Sequence, residues 1–348
     1  MNNPYTLVFG REPAEMISRR IPESSIINTF MEERPSQQVF ILTGVRGCGK
    51  TVMMTEISRQ IQGEKDWITV ELNPERDMLL ALAAKLASED RLSQIFKNAQ
   101  IDLSFFGIGV TIKNASPITD IEIALERMLE SLKKHGKKVL ITVDEAVNNE
   151  YIRVFASSFQ IFVRKELPVF LLMTGLYENI QNIQNEKTLT FLYRAPKIEV
   201  PPLNIGSIAD NYQKNFKLSD EKALEMARLT KGYSFAFQVL GHLTWEKEGD
   251  FREALPEYKQ YLEEYSYEKI WSEMSRTDQR VAYAIARSKD GRIREIRETL
   301  GMETNQFNPY RKRLIRKGIL DGSTHGLVRF TLPYFDRFVM ENYSEGIS

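Results

Sequence analysis

Cysteine is nearly absent: one residue, Cys48, in 348. No internal disulfide can form, and the chain is not a small cross-linked secreted scaffold. Histidine is also scarce. His135, His242 and His325 lie far apart, and with one cysteine they make no zinc-ligand spacing. No apolar run approaches the ~20 residues that span a bilayer; Val139–Val143 and Phe170–Met173 are runs of strand length. An excess of one charge is missing too, with 47 Lys plus Arg against 47 Asp plus Glu. Bulk charge therefore does not draw the chain to nucleic acid, and any basic surface must be local. Internal repeats and low-complexity segments are absent. The opening MNNPYTLVFGREPAEM has neither the basic start nor the apolar core of a secretory signal. A soluble, cytoplasmic protein in a reducing environment is the expectation.

What is present falls into three stretches. Over the first 202 residues, strand-like and helix-like segments alternate, which predicts an α/β domain with a mainly parallel sheet. The strands are expected at Val39–Thr43, Trp67–Leu72, Val139–Val143, Val169–Thr174 and Lys197–Val200. Leu103–Ile112, rich in β-type residues around Gly107 and Gly109, predicts a hairpin. After Pro201-Pro202 the strand signals stop. Ile205–Phe216, Asp220–Thr230, Ser234–Lys247 and Phe251–Tyr265 read as helices, a helical domain over 203–270. Over 271–348 the spacing predicts helices at Asp278–Ser288, Ile293–Leu300 and Pro309–Lys317. Strand-like Ile319-Leu320 and Val328–Leu332 follow, on either side of DGSTHG. Three helices and a two-stranded flap form a winged-helix pattern.

The stretch Gly44-Val45-Arg46-Gly47-Cys48-Gly49-Lys50-Thr51 fits G-x-x-x-x-G-K-[ST], with Val52 continuing into a helix. It follows a buried strand and opens a helix, the context a phosphate loop requires. Its glycines let backbone N–H groups wrap a phosphate, and the helix N-terminus adds partial positive charge. Lys50 would reach the β- and γ-phosphates, and the Thr51 hydroxyl would ligate Mg²⁺. Cys48 takes a variable position in the loop, where its N–H matters more than its thiol, although the helix end and Lys50 would favour a thiolate and hence a redox role. Asp144 and Glu145 supply the acidic partners, since VLITV delivers them to the C-terminal edge of a parallel sheet. Asp144 would hold Mg²⁺, and Glu145 would polarise the attacking water. Thr174, at the end of the next strand, has two open readings: a hydroxyl directed at the γ-phosphate or the water, or a cap on the following helix. Arg194, just before the last strand, is either an arginine projected to a neighbouring subunit's phosphate or an ordinary surface arginine.

GVRGCGKT paired with VLITVDEA resembles the additional-strand P-loop ATPases of the AAA+ and STAND group. More closely, the chain is similar to the prokaryotic "archaeal ATPase" type, which shares a lineage with archaeal origin-recognition initiators. VFGREPAE is similar to that group's N-terminal motif, LTKGYSFAFQVLGH to its lid helix, and NPYRKRLIRKGIL with VRFTLPYFDRFV to its appended winged helix. The resemblance implies a P-loop core with sheet order 5-1-4-3-2, a helical lid and a winged helix, binding ATP or ADP with Mg²⁺. It places Phe9, Gly10 and Arg11 by the adenine, Thr174 as a sensor, and Arg194 where such proteins carry a trans-acting arginine. Two departures stand out in Gly232-Tyr233-Ser234-Phe235. The arginine that contacts the γ-phosphate in many AAA+ lids is missing, and Ser234 replaces the proline of STAND lids. Both point to slow hydrolysis or a nucleotide-bound switch.

Between Met274 and Phe338 fourteen Lys or Arg face seven Asp or Glu, a local basic excess in a neutral chain. Asn308 is expected to cap the third helix, with Pro309 at its first position. Lys312, Arg313, Arg316 and Lys317 would then share one face, with Tyr310 and Leu314 on another. The third helix of a winged helix enters the major groove, so this face, bordered by Tyr310, and Arg329 on the wing are the expected contacts to duplex DNA. The competing reading is a protein-docking surface, for a partner protein or a second copy of the chain.

Overall fold

The computed structural model describes residues 2–8, 13–108, 117–187 and 189–343. The chain forms two compact units, one of Arg20–Thr43 and Met53–Ile198, the other of Met1–Arg19, Gly44–Val52 and Glu199–Ser348.

The first unit is built on β1 (Val39–Thr43), β2 (Trp67–Leu72), β3 (Lys138–Val143), β4 (Val169–Gly175) and β5 (Lys197–Glu199). The strand order is β2-β3-β4-β1-β5, as expected. β1 pairs in parallel with β4, β4 with β3, and β3 with β2. Strands in such a sheet are covered on both faces, which is why they read as unbroken apolar runs. Alternate residues Val39, Ile41, Val139, Ile141, Leu171 and Met173 enter one core with Leu82, Leu125 and Phe159. On the other face Phe40, Trp67 and Phe170 gather around Phe30, with ring centroids 4.7–6.5 Å apart. Phe30 belongs to the Arg20–Met31 helix, which the sequence reading does not mark. Its inward residues are Glu23, Ile26 and Phe30, too few for a clear stripe, and Pro22 lies in its first turn, where proline is tolerated. The predicted hairpin is corrected: Ser104–Phe106 is a single 3₁₀ turn ended by Gly107 at φ 70°. Residues 109–112 of that hairpin lie outside the described residues.

In the second unit helices run Ile205–Phe216, Asp220–Arg228, Ser234–Glu246 and Phe251–Leu262, close to the expected bounds. A π-helical turn, Glu263–Tyr267, extends the last of them. Tyr5 from the N-terminal segment is buried among Tyr212, Phe216 and Phe237, and its hydroxyl donates to Asn211 Oδ1 (2.7 Å). Gly241 makes room for it, since a Cβ there would meet the Tyr5 ring at 2.5 Å.

The C-terminal stretch has helices Arg276–Arg287, Ile293–Leu300 and Thr304–Arg316, then the antiparallel β6 (Leu320–Asp321) and β7 (Arg329–Phe330), then a helix Phe335–Asn342. The third helix starts five residues before the expected Pro309. The Gln306 side chain accepts the Glu303 N–H (2.9 Å), the return half of a capping box, so the start signal lies at 303–306 and Asn308 is no cap. Pro309 is carried inside the helix. No helix among the described residues is long and apolar enough to cross a membrane.

Candidate phosphate loop and acidic turn

The loop Gly44–Gly49 joins β1 to the helix Lys50–Gln62. Gly47 and Gly49 adopt φ 75° and 91°, the left-handed region that favours glycine. Lys50 is only 8% exposed, and its ammonium turns back into the loop to donate to the carbonyls of Gly44 and Val45 (3.1 Å each). The Cys48 N–H closes a turn on the same Val45 oxygen (3.2 Å). Cys48 is buried, its sulfur so close over Gly44 that a Cβ there would meet it at 2.7 Å. Thr51 and Val52 follow in the first helical turn, half-buried. Arg46 makes a surface ion pair with Glu273 (3.1 Å). Phe9, Gly10 and Arg11 lie outside the described residues.

The outer side of this loop faces the start of the lid helix at Ser234. The Tyr233 hydroxyl donates to Arg46 O (2.6 Å) and Ser234 Oγ to Cys48 O (2.8 Å). The Phe235 N–H donates to Gly47 O (3.1 Å). Arg19, 8% exposed, donates to Cys48 O and Ser234 Oγ (2.6 Å each) through Nη2, and to Pro201 O (2.7 Å) through Nε. Tyr233, Ser234 and Phe235 lie in the stretch LTKGYSFAFQVLGH, but their contacts to the loop, and Arg19 itself, carry no signal in the sequence. Beside them lies a cleft of about 1220 Å³, lined by Gly44, Val45, Cys48, Glu199 and Lys231 among others. Burial pushes the Glu199 carboxyl above the usual range, and burial pulls the Lys231 ammonium down, opposed by Asp336. Lys231 donates to the carbonyls of Phe330 and Leu332 (3.2 Å each).

The acidic pair is organised by the sheet. Pairing of Val143 with Met173 sets Asp144 beside Thr174 at the C-terminal edge, where β1 also ends with Thr43 opposite Gly175. Thr174 is fully buried. Its hydroxyl donates to Asp144 Oδ1 and accepts the Glu145 N–H (3.0 Å). The cap reading of Thr174 is thereby corrected: the next helix starts at Tyr177 behind Leu176. Glu145 takes φ 49°, a left-handed conformation uncommon for a non-glycine residue, and its side chain is exposed. The Ala146 N–H bonds back to Thr174 O (2.8 Å), which fixes that turn. Arg194 ends the short Thr190–Tyr193 helix and is exposed.

Among the expected DNA contacts, Arg313 is corrected. Its guanidinium donates to Oδ1 of Asp278 from Nη2 (2.7 Å) and Nε (3.0 Å), and Asp278 is 1% exposed. A buried carboxylate needs such a partner, and it claims this arginine. Tyr310 lies under the same guanidinium (5.1 Å) and is half-buried, so it belongs to that packing. Lys312, Arg316 and Arg329 are exposed and Lys317 half-buried. A second basic groove was not anticipated. It has about 740 Å³ and is lined by Arg292, Arg294, Arg297, Arg311 and His325, with Arg292 paired to Asp290 and Glu295, Arg294 to Glu298 and Arg297 to Glu303 at the surface. The arginines come from two helices and the segment before one of them, so charge counting along the sequence shows the excess but not the grouping.

The parallel sheet with β1 between β4 and β5, and a glycine loop between β1 and a helix, defines a P-loop ATPase fold of the additional-strand class. Residues 20–169 match the family described as "ATPase domain predominantly from Archaea", and residues 264–339 match a domain of unknown function (DUF8462). Residues 20–169 are thus similar to an archaeal-type ATPase domain. No curated protein matches it in sequence. Among solved structures, it is similar to the Walker-type ATPase PABY2304 of Pyrococcus abyssi. The TM-score is 0.64 at 15% identity, over 93% of this chain and 96% of that one. Cdc6p from Pyrobaculum aerophilum follows with TM-score 0.49 at 15% identity, over 96% of both chains.

Proposed function

We propose that the chain is an ATP-binding, Mg²⁺-dependent P-loop ATPase with slow turnover, acting as a nucleotide-dependent switch with three working parts: core 1–202, lid 203–270 and winged helix 271–348. The observation that carries this reading is Lys50, buried inside a glycine loop with its ammonium on loop carbonyls, the position from which it would exchange those oxygens for phosphate oxygens. Gly47 and Gly49 let the loop take positive φ at two positions without a Cβ. In this reading Gly44–Val52 bind the nucleotide phosphates, and Phe9, Gly10 and Arg11 bind its base. A hydroxyl and a carboxylate suit a hard cation, so Thr51 and Asp144 would hold Mg²⁺. Bound Mg²⁺ supplies Lewis-acid polarisation of phosphate oxygens. Thr174 holds Asp144 and the Glu145 backbone, leaving the Glu145 carboxylate exposed to orient water. Arg194, exposed before β5, is the candidate trans-acting arginine of a homo-oligomer.

Slow turnover follows from the absence of a cation in Gly232-Tyr233-Ser234-Phe235. The parent is expected to hydrolyse Mg–ATP slowly, and Glu145→Gln to bind it with undiminished affinity while losing at least about 100-fold in turnover. Equal turnover in both would overturn the role of Glu145.

Duplex DNA is the proposed partner of the C-terminal part, held by Lys312, Arg316, Lys317 and Arg329 with the groove of Arg292, Arg294, Arg297 and Arg311. The commitment of Arg313 to Asp278 favours the second reading, a protein-docking surface. Titration of duplex DNA at several salt concentrations separates the two. DNA binding predicts affinity that falls steeply with salt, and a shallower slope for Lys312→Ala. No affinity at low salt leaves the docking reading.

A further inference from the structure

Three successive carbonyls of the phosphate loop, those of Arg46, Gly47 and Cys48, are held on its outer side by Tyr233 Oη, Phe235 N–H, and Ser234 Oγ with Arg19 Nη2. In a planar trans peptide the C=O of one residue and the N–H of the next point in opposite directions. Holding these carbonyls outward therefore turns the N–H groups of Gly47, Cys48 and Gly49 to the opposite side, where the Cys48 N–H now meets Val45 O, the oxygen that also receives Lys50 Nζ. These are the donors a phosphate cradle uses. The anchors are themselves fixed. Ser266 Oγ lies 2.7 Å from the Tyr233 hydroxyl, and Pro201 O receives Arg19 Nε (2.7 Å). The turn before them is locked by the Gly232 N–H on Thr230 Oγ1 (3.1 Å) and the Leu203 N–H on Gly232 O (2.8 Å). Gly47 fits only without a side chain, because a Cβ would meet Tyr233 Oη at 2.4 Å.

We propose that Arg19, Tyr233 and Ser234 are positioning residues that set the phosphate-binding conformation of the loop from its outer side. The lid then reads the nucleotide through loop carbonyls, in place of a cation on the γ-phosphate. Serine at 234 has a purpose on this account: its hydroxyl donates to Cys48 O while accepting from Arg19, and proline offers neither. Thermodynamic reciprocity follows: a phosphate that orders the inner N–H groups strengthens the lid's hold, and loss of that hold weakens phosphate binding.

This inference rests on the nucleotide-binding reading, and the test separates the two. Affinities of the full chain for Mg–ATP, Mg–ADP and AMP are measured by competition against a fluorescent ADP, for the parent, Ser234→Ala, Ser234→Thr and Tyr233→Phe. Ser234→Ala and Tyr233→Phe are expected to lose about tenfold for ATP and ADP. AMP, which lacks the β-phosphate held by the loop, should bind almost as before. Ser234→Thr, which keeps the hydroxyl, should recover most of the loss. A parent that binds no nucleotide overturns the nucleotide reading itself. A parent that binds, with Ser234→Ala and Tyr233→Phe equal to it, overturns the positioning role alone. Equal losses for ADP and AMP, with a lowered unfolding midpoint, would reduce these residues to ordinary packing and also overturn it.

Discussion

The phosphate loop and the acidic turn both leave the ends of buried parallel strands, and they keep their shape by different means. The acidic turn is held by its own sheet: Thr174, on the strand paired with β3, fixes the Asp144 carboxylate and the Glu145 N–H. The phosphate loop is held by residues remote in sequence, with Ser234 186 positions from Cys48 and Tyr233 187 positions from Arg46. One turn is a property of the sheet. The other depends on tertiary contacts between residues far apart in the chain. On the proposed ATPase reading, water activation should therefore be robust, and phosphate affinity should be open to regulation.

That contrast is broken most sharply by Thr174→Val, which keeps volume and removes the hydroxyl. Turnover should fall by about 100-fold or more as the acidic pair loses its fixed geometry, while Mg–ADP affinity stays within about threefold. Steady-state kinetics beside calorimetry checks it, and a matching loss of ADP affinity would erase the distinction. Arg313→Ala is the next largest and tests a third held group that belongs to neither turn. It leaves Asp278 buried without its cation and should cost about 3 kcal/mol in denaturant unfolding. Mg–ADP affinity should not change.

Gly47→Ala acts on the loop and on its contact with Tyr233. Its φ of 75° and the approach of Tyr233 Oη both oppose a methyl group, so ADP affinity should fall about tenfold in calorimetry. The smallest effect is expected of Glu199→Gln. Burial holds the Glu199 pKa above its unfolded value, so folding disfavours the charged form. The penalty is absent below the unfolded pKa and grows as pH rises through the folded one. The variant should melt slightly higher than the parent at pH 7, with the difference vanishing as pH falls below about 4.

Much of the first unit is legible from the sequence because strands buried on both faces must be continuous apolar runs, and Val39–Thr43, Val139–Val143 and Val169–Thr174 are such runs. The Gly44–Gly49 loop and the Asp144–Glu145 turn are equally legible as local structures. The failures have local causes as well. Pro309 imitates a helix start, whereas the capping interaction at Glu303 and Gln306 sets it. Leu103–Ile108 has strand-type residues, yet Gly107 closes a 3₁₀ turn. The Phe335–Asn342 helix is short and follows a proline-containing turn, so it carries no separate signal. What no local pattern could supply is pairing at a distance: Arg313 with Asp278, Arg19 with Cys48, and Tyr5 with the lid aromatics.

The central claim, that Gly44–Thr51 is a working phosphate site, is tested most directly by calorimetric titration of Mg–ADP into the parent chain and into Lys50→Ala. The account predicts saturable binding to the parent and none to the variant. Binding of equal strength to both, or no binding to the parent, would contradict it.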